Sequence, residues 1–219
     1  MNPALIPLLL LGGAALGAVI VGFARAERKR TEALAQAAAT LGLVFEPRGD
    51  LDLLRAIADL PLFNRGHSRR AKNVMSGHAA GQPDGRIFDY TYTTGGGKNA
   101  HTWRQTVALI PAGHQLADFV LAPENFFHRI GELFGYQDVD FEENREFSSR
   151  YLLRGRDETA IRAAFNADIL AFFAGEPGWT IEARSGHLGI YRAAKRARPE
   201  DLQGFLADVQ RVAQALRAR

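Results

Sequence analysis

Hydrophobic and polar positions follow three patterns along the chain, and each pattern predicts a different kind of element. The first is a continuous apolar run, because residues 2–24 contain no ionisable side chain. A helix of about 21 residues rises about 1.5 Å per residue and is about 31 Å long, close to the hydrocarbon thickness of a bilayer. We predict a transmembrane helix over residues 3–24. A cleaved signal peptide fits less well, because Ala24-Arg25-Ala26 is a poor cleavage site and basic residues follow it at once.

The second pattern is a period of about 3.6 residues, which indicates amphipathic helices. One such helix covers residues 27–41, with an apolar stripe of Leu34, Ala37, Ala38 and Leu41. Shorter helices are predicted after Asp50, Asp157 and Asn166, which are good N-caps, and over residues 124–134. The last helix is the best formed. It opens at Pro199, and its apolar stripe consists of Leu202, Phe205, Leu206, Val209, Val212 and Leu216.

The third pattern is alternation of apolar and polar residues, which indicates β-strands. It is clearest over residues 86–94, where Phe88, Tyr90 and Tyr92 face one way. If the glycine-rich loop that follows closes near Gly96, Tyr90 lies opposite Trp103, and we predict that Trp103 has a structural role. Further strands are predicted over residues 43–47, 71–80, 100–110, 118–123 and 149–155, with a hairpin that turns at Ser185-Gly186.

Strands that follow one another through short loops form antiparallel sheets. The predicted fold class is therefore α+β: an N-terminal transmembrane helix, then an antiparallel-sheet domain with helices packed on one face, including a long C-terminal helix. The predicted domains are the transmembrane helix over residues 3–24, a basic helical linker over residues 25–42 and a cytoplasmic α+β domain over residues 43–219.

Charge next to the apolar run predicts its orientation. Arg25, Arg28, Lys29 and Arg30 follow the run directly, and no basic residue precedes it. The positive-inside rule then places the N-terminus outside the plasma (inner) membrane, with a single pass and a cytoplasmic C-terminal domain. Gly13 and Gly17 form a GxxxG pair, a motif that lets two membrane helices approach closely. A homodimer through this face of the helix is therefore one of the alternatives.

Composition excludes several classes of function. The chain has no cysteine, which rules out a disulfide scaffold, a cysteine zinc site, an iron–sulfur cluster and a thiol nucleophile. Its 27 Lys+Arg and 24 Asp+Glu residues give a formal net charge of only +3. Such a weak field disfavours nucleic acid as the partner.

No motif predicts a catalytic residue, a cofactor site or a metal site. The loop Gly95-Gly96-Gly97-Lys98-Asn99 lacks the spacing and the following helix of a phosphate-binding loop. The row Asp138, Asp140 and Glu142 is typical of the solvated side of a strand, and Glu124, His128 and Glu132 are typical of the polar face of a helix. Neither GxSxG nor HExxH occurs.

Two basic runs remain as candidates for contact with a partner or an anionic surface. The first extends from Arg65 to Lys72, and the second extends from Arg192 to Arg198. Both could meet phosphate groups, such as those of lipid headgroups. The predicted contact residues are Arg28, Lys29, Arg30, Arg69, Arg70, Lys98 and Asn99.

Two segments, residues 88–110 and 133–155, resemble parts of uncharacterised bacterial membrane-anchored proteins that have one N-terminal helix and a soluble domain. The resemblance implies the same architecture, and it does not assign an activity. The leading hypothesis is a membrane-anchored cytoplasmic domain that binds a protein partner or the lipid bilayer. The alternative is an enzyme whose carboxylates and histidines come together only in the folded chain.

Overall fold

The computed structural model describes residues 5–49, 51–79, 82–112, 116–124, 126 and 136–217. In these ranges the side chains of residues 5–16, 51–52, 56, 79 and 82–83 are not described. The helices are α1 (Leu5–Thr40), α2 (Leu51–Ala56), α3 (Arg145–Ser148), α4 (Glu158–Ala164), α5 (Ala167–Gly175) and α6 (Leu202–Ala215). Short 3-10 turns cover Pro61–Asn64, Gly97–Asn99 and Pro199–Asp201.

The described strands form one antiparallel sheet of nine members. They are β1 (Val44–Arg48), β2 (His67–Ala79), β3 (Gln82–Thr94), β4 (His101–Pro111), β5 (Phe119–Pro123), β6 (Gln137–Asp138), β7 (Tyr151–Gly155), β8 (Thr180–Arg184) and β9 (His187–Tyr191). Their order across the sheet is β1-β2-β3-β4-β9-β8-β5-β7-β6. The predicted antiparallel α+β class, with a C-terminal helix, is confirmed.

One face of the sheet carries the larger apolar core. Helices α1, α5 and α6 pack there with Leu34, Leu170 and Val209 among the buried side chains. Residues 27–41 were predicted as a linking helix, yet Leu34 and Ala38 of α1 are almost fully buried in this core. The second half of α1 is therefore an integral part of the folded domain.

The opposite face of the sheet is covered as well. Phe88, Tyr90 and Tyr92 of β3 are fully buried there, as their alternation predicted. Helix α2 and the turn Pro61–Asn64 form the cover, which adds a second layer that the prediction of helices on one face did not include. Three large aromatic side chains on one strand need such a cover, because leaving them in water would be costly.

Several local predictions are confirmed by hydrogen bonds. Asp157 accepts from the backbone N–H of Ala160 at 2.9 Å, and Asn166 accepts from that of Ile169 at 3.0 Å, so both residues cap their helices. The β8–β9 hairpin turns at Ser185-Gly186 as predicted. Asp50 and most of the predicted helix 124–134 lie outside the described residues.

The residue pairing predicted across the β3–β4 hairpin is wrong by two residues. Trp103 lies opposite Tyr92, and Tyr90 lies opposite Gln105. The loop runs from Gly95 to Ala100 and contains the 3-10 turn Gly97–Asn99, so its centre lies beyond Gly96. Gly95 has a φ of +72°, and a Cβ there would lie 2.4 Å from the carbonyl oxygen of Asn99. The loop therefore depends on glycine at this position.

Within the described ranges, no helix is long and apolar enough to cross a membrane. The side chains of residues 1–16, and with them most of the predicted segment 3–24 and Gly13, are outside the described part of the chain.

Candidate functional site

Helix α1 is joined to the sheet by a buried polar network. Arg30 donates from Nε and Nη2 to the two carboxylate oxygens of Asp89, both at 2.8 Å. Only 12% of the Arg30 side chain and 8% of the Asp89 side chain are exposed. Asp89 also accepts from Asn73 Nδ2 and from Thr106 Oγ1, each at 2.9 Å. The buried carboxylate is thus fully hydrogen-bonded, as a stable buried charge requires.

A second ion pair lies one turn nearer the start of α1. Arg196 Nη1 donates to both carboxylate oxygens of Glu27, at 2.8 and 2.9 Å. The next residue, Ala197, donates its backbone N–H to Thr106 Oγ1 at 3.0 Å. The loop before α6 therefore belongs to the same network, and two successive turns of α1 are fixed to the domain.

The contacts of α1 also determine its direction. Arg30 lies beside Asp89 and Thr106, whereas the guanidinium of Arg104 lies 5.1 Å from the ring centre of Phe23. Passing from Thr106 to Arg104 along β4 leads towards the β3–β4 loop, and passing from Arg30 to Phe23 leads towards the start of α1. The start of the helix and the β3–β4 loop therefore point the same way.

The end of the sheet at this loop carries positive charge. We call it the basic end: residues 67–72 of β2 and residues 91–104 of β3, the loop and β4, which the strand pairing brings together. Residues 60–83 and 90–117 contain no aspartate or glutamate. Their arginines and lysines are Arg65, Arg69, Arg70, Lys72, Lys98 and Arg104. A surface of one sign attracts ligands of the opposite sign.

Four of the sequence-predicted contact residues come together at the basic end: Arg69, Arg70, Lys98 and Asn99, all exposed. Arg69 also donates to the Phe63 carbonyl at 2.6 Å.

The other three predicted contact residues lie on α1. Arg28 and Lys29 are exposed, and Arg28 pairs with Glu32 at 2.9 Å. Arg30 is the exception, because its buried pair with Asp89 removes it from the surface. We therefore correct the prediction and exclude Arg30 from the contact set.

Aromatic residues of the basic end were not predicted as surface groups. Trp103 is only partly buried: it stacks on Tyr92, with ring centres 6.4 Å apart and an interplanar angle of 18°. Its Nε1 donates to Thr94 Oγ1 at 2.9 Å. The ring of His101 is exposed and contacts the Trp103 ring edge to face, with ring centres 4.2 Å apart. The sequence signal for this exposure was the position of Trp103 close to the loop, because strand ends are less covered than strand centres.

The second basic run lines a groove of about 750 Å³ beside α6. Its three arginines are already engaged: Arg196 with Glu27, Arg198 with Asp201 at 2.6 Å, and Arg192 with the face of Trp179 at 4.1 Å. The groove is also lined by three acids, Glu200, Asp201 and Asp208. It is a weaker anion site than the basic end.

Among the residues that the structure describes, the carboxyl group with the most altered pKa lies in the core. Glu182 is fully buried, and it accepts from the backbone N–H of Leu62 at 3.0 Å and from the Tyr191 hydroxyl at 2.8 Å. Burial raises the pKa of Glu182 to about 7. A carboxyl group with such a pKa suits acid–base chemistry only where substrate can reach it. Here it holds the turn Pro61–Asn64 against β8.

The acidic row is solvated as predicted, but only Asp138 lies in a strand, because β6 ends there and Asp140 and Glu142 follow it. Asp138, Asp140 and Glu142 are exposed and alternate with the buried Val139 and Phe141. Among the residues that the structure describes, no group of three or more histidines and carboxylates could hold a metal ion. His128 and Glu132 lie outside the described residues.

Comparison with known proteins gives a match in fold. No family model matches the chain, and no curated protein matches it. The crystal structure of the mycobacterial trehalose monomycolate transport factor A, TtfA, is similar, with a TM-score of 0.62. The likeness covers 87% of this chain and 96% of that chain, at 15% sequence identity. The two chains therefore share an α+β fold over nearly their whole lengths.

Proposed function

We propose that the chain is a single-pass membrane protein whose cytoplasmic domain is a binding domain with an accessory role in lipid transport. The observation that carries this proposal is the rigid junction at α1. One continuous helix begins in the apolar segment and is then fixed to the sheet by the pairs Arg30–Asp89 and Glu27–Arg196. A flexible tether would let the domain rotate, whereas this junction gives it one orientation.

The exposed side chains of α1 support the membrane anchor. Val19, Ile20, Val21 and Phe23 are between 47% and 69% exposed, and they lie on several sides of the helix. A helix that is apolar all round is unfavourable in water and favourable in hydrocarbon. The apolar residues 2–18 extend this character to a length that spans a bilayer. We propose the inner membrane as its location, with the N-terminus outside.

The binding role is supported by the fold and by the kind of residues at its surface. The similar structure is of a protein described as a trehalose monomycolate transport factor. The strongly altered carboxyl group, Glu182, is buried and fully hydrogen-bonded, which fits stability better than catalysis. We therefore favour an accessory protein of a membrane transport system over an enzyme.

Membrane fractionation and fusion reporters test the anchor and its orientation. The full-length protein is expected to stay in membranes after alkaline carbonate washing, and a variant lacking residues 1–24 to become soluble. A C-terminal fluorescent reporter that folds only in the cytoplasm is expected to be active, and a phosphatase that needs the periplasm to be inactive. Extraction by carbonate, or the opposite pair of reporter results, would contradict the proposal.

The transport role needs a test in the host cell. Loss of the chain is expected to leave newly made envelope lipid in the inner membrane, measured by labelling and fractionation of the envelope. The full chain should restore export, and the variant lacking residues 1–24 should not. Normal export without the chain would contradict the transport role and leave the anchor unaffected.

A further inference from the structure

We propose that a pocket at one end of the sheet binds the phosphate group of a small phosphate monoester. The pocket has a volume of about 420 Å³, within the usual range of small-molecule sites. Of the lining residues that the structure describes, three are basic, namely Arg150, Arg192 and Lys195, and none is acidic. This site does not depend on a membrane anchor, because all of these residues belong to the folded domain.

The pocket forms where four neighbouring strands have their ends. Strands β9, β8, β5 and β7 are adjacent in the sheet. The last residue of β9 pairs with the first residue of β8, and the last residue of β5 pairs with the first residue of β7. Since antiparallel neighbours begin and end alternately at one edge of a sheet, the residues just outside these strands come together there. Arg192 follows β9, Gly178 lies just before β8, and Arg150 lies just before β7.

Arg192 is held in place within the domain itself. Its Nη1 donates to the carbonyl oxygen of Pro177 at 2.8 Å, and its guanidinium carbon lies 4.1 Å from the ring centre of the buried Trp179. A Cβ at Gly178 would lie 3.2 Å from Nη1, so the backbone approaches the guanidinium closely at this glycine. Stacking uses the face of the guanidinium and leaves N–H donors at its edge for a ligand. A cation that is already ordered loses less conformational entropy when it binds.

Lys195 is positioned by a tight turn that packs on β4. Its backbone N–H donates to the carbonyl oxygen of Arg192 at 3.1 Å, and its own carbonyl oxygen accepts from the N–H of Thr106 at 3.0 Å. The buried Gln105 accepts from the N–H of Ala194 at 3.1 Å. These bonds hold Ala194 at a φ of +58°, which is unfavourable for alanine. The turn therefore fixes the exposed Lys195 at the same pocket as Arg192.

Charge balance identifies the anionic group of the ligand. Arg150 pairs with Glu146 at 3.1 Å, so its charge is partly neutralised. Arg192 and Lys195 then supply two positive charges to the pocket. A phosphate monoester carries a charge of about −1.5 to −2 at pH 7, which matches these two cations. A carboxylate carries a single negative charge and would leave one cation without a counterion.

The remaining walls of the pocket indicate what the phosphate is attached to. They include Pro123, Pro177 and the ring of Phe126, which is almost fully buried. Removal of apolar surface from water favours a ligand whose phosphate is joined to an apolar group. Inorganic phosphate lacks such a group and should bind more weakly. Soluble aryl or alkyl phosphates and lipids with a phosphate monoester headgroup share this chemistry.

Isothermal titration calorimetry of the full-length protein in a non-ionic detergent tests the site with phenyl phosphate. The natural chain is expected to bind it more tightly than it binds inorganic phosphate. Lys195→Gln should weaken binding of phenyl phosphate about tenfold, the usual effect of losing one charged hydrogen bond, and Arg192→Gln should act in the same direction. Lys98→Gln is the matched control, because it removes the same charge from the exposed β3–β4 loop, and it should leave the affinity unchanged.

Four results would overturn the proposal. The first is that phenyl phosphate does not bind, and the second is that Lys195→Gln binds it as tightly as the natural chain does. The third is that benzoate binds as tightly as phenyl phosphate, which would contradict the choice of phosphate. The fourth is that inorganic phosphate binds as tightly, which would contradict the role of the apolar walls. If Arg192→Gln does not fold, the exposed Lys195 still decides the question.

A second ligand distinguishes the two sources of phosphate monoester. Dihexanoyl phosphatidic acid is a short-chain lipid whose headgroup is a phosphate monoester. Tighter binding of this lipid than of phenyl phosphate would assign the pocket to a lipid headgroup, and weaker binding would assign it to a soluble phosphate monoester. Either result supports the pocket, provided that Lys195→Gln weakens the binding. An affinity for the lipid that Lys195→Gln leaves unchanged would place the lipid outside the pocket and contradict its assignment to a headgroup.

Discussion

Arg30 of α1 and Asp89 of β3, 59 positions apart in the chain, form a bidentate ion pair within the domain, with both N–O distances at 2.8 Å. Buried ion pairs contribute little net stability when formed, but they strongly penalise any arrangement that breaks them. This one admits a single placement of α1 on the sheet. The domain is therefore oriented by the same helix that is proposed to anchor it.

Removing the arginine should destabilise the domain strongly. Arg30→Ala leaves the buried Asp89 without its cation, and breaking a buried pair in this way costs about 3–5 kcal/mol. Urea unfolding of a fragment that begins at residue 25 would measure the change. Arg28→Ala is the control, because its pair with Glu32 is solvent-exposed and such pairs contribute less than about 1 kcal/mol. Equal effects of the two variants would show that the Arg30 pair is not held in the fold.

The boundary of the domain gives a second prediction. A fragment over residues 25–219 should fold, whereas one over residues 43–219 should be much less stable. The shorter fragment loses Leu34 and Ala38 from the core and leaves Asp89 unpaired. Removing a single buried leucine side chain typically costs about 2–5 kcal/mol. Circular dichroism during heating would compare the two fragments, and equal melting temperatures would contradict the prediction.

Much of the fold could be predicted from the sequence because its signals are local. The alternation of Phe88, Tyr90 and Tyr92 predicted the face of β3, and Asp157 and Asn166 predicted two helix starts. The hairpin register failed, because it depends on where the loop turns, and three consecutive glycines allow several positions.

The candidate site could be predicted only in part. Arg69, Arg70, Lys98 and Asn99 were chosen as exposed charges and loop residues, and strand pairing brings them together. The burial of Arg30 could not be foreseen, because nothing near it in the chain indicates that it would meet Asp89. Long-range pairs of this kind depend on tertiary packing and leave no local pattern.

The two tryptophans should differ in their contribution to stability. Trp179 is fully buried, so Trp179→Ala should cost about 3–5 kcal/mol, the usual range for a buried aromatic residue. Trp103 is partly exposed but stacks on Tyr92, so Trp103→Ala should cost less than Trp179→Ala but still lower the midpoint clearly. Urea unfolding of the fragment over residues 25–219 measures both. An unchanged midpoint for Trp103→Ala would show that its ring does not pack on β3.

Glu182 should make stability depend on pH between about 4.5 and 7. Burial raises its pKa from 4.5 to about 7 in the folded chain. In this range the folded chain keeps the proton and the unfolded chain has lost it, so the free energy of unfolding falls as pH rises. The fall is at most about 1.4 kcal/mol per pH unit and of the order of 3 kcal/mol in total. Above pH 7 this contribution is constant.

Glu182→Gln isolates that effect, because glutamine does not titrate and can still accept from Leu62 N–H and the Tyr191 hydroxyl. Urea unfolding at several pH values should give a flatter profile for this variant than for the natural chain. Glu46→Gln, at an exposed position on β1, is the control and should keep the natural slope. Parallel profiles for the natural chain and Glu182→Gln would mean that the carboxyl group is already ionised in the fold, with its charge stabilised by neighbours such as Arg65.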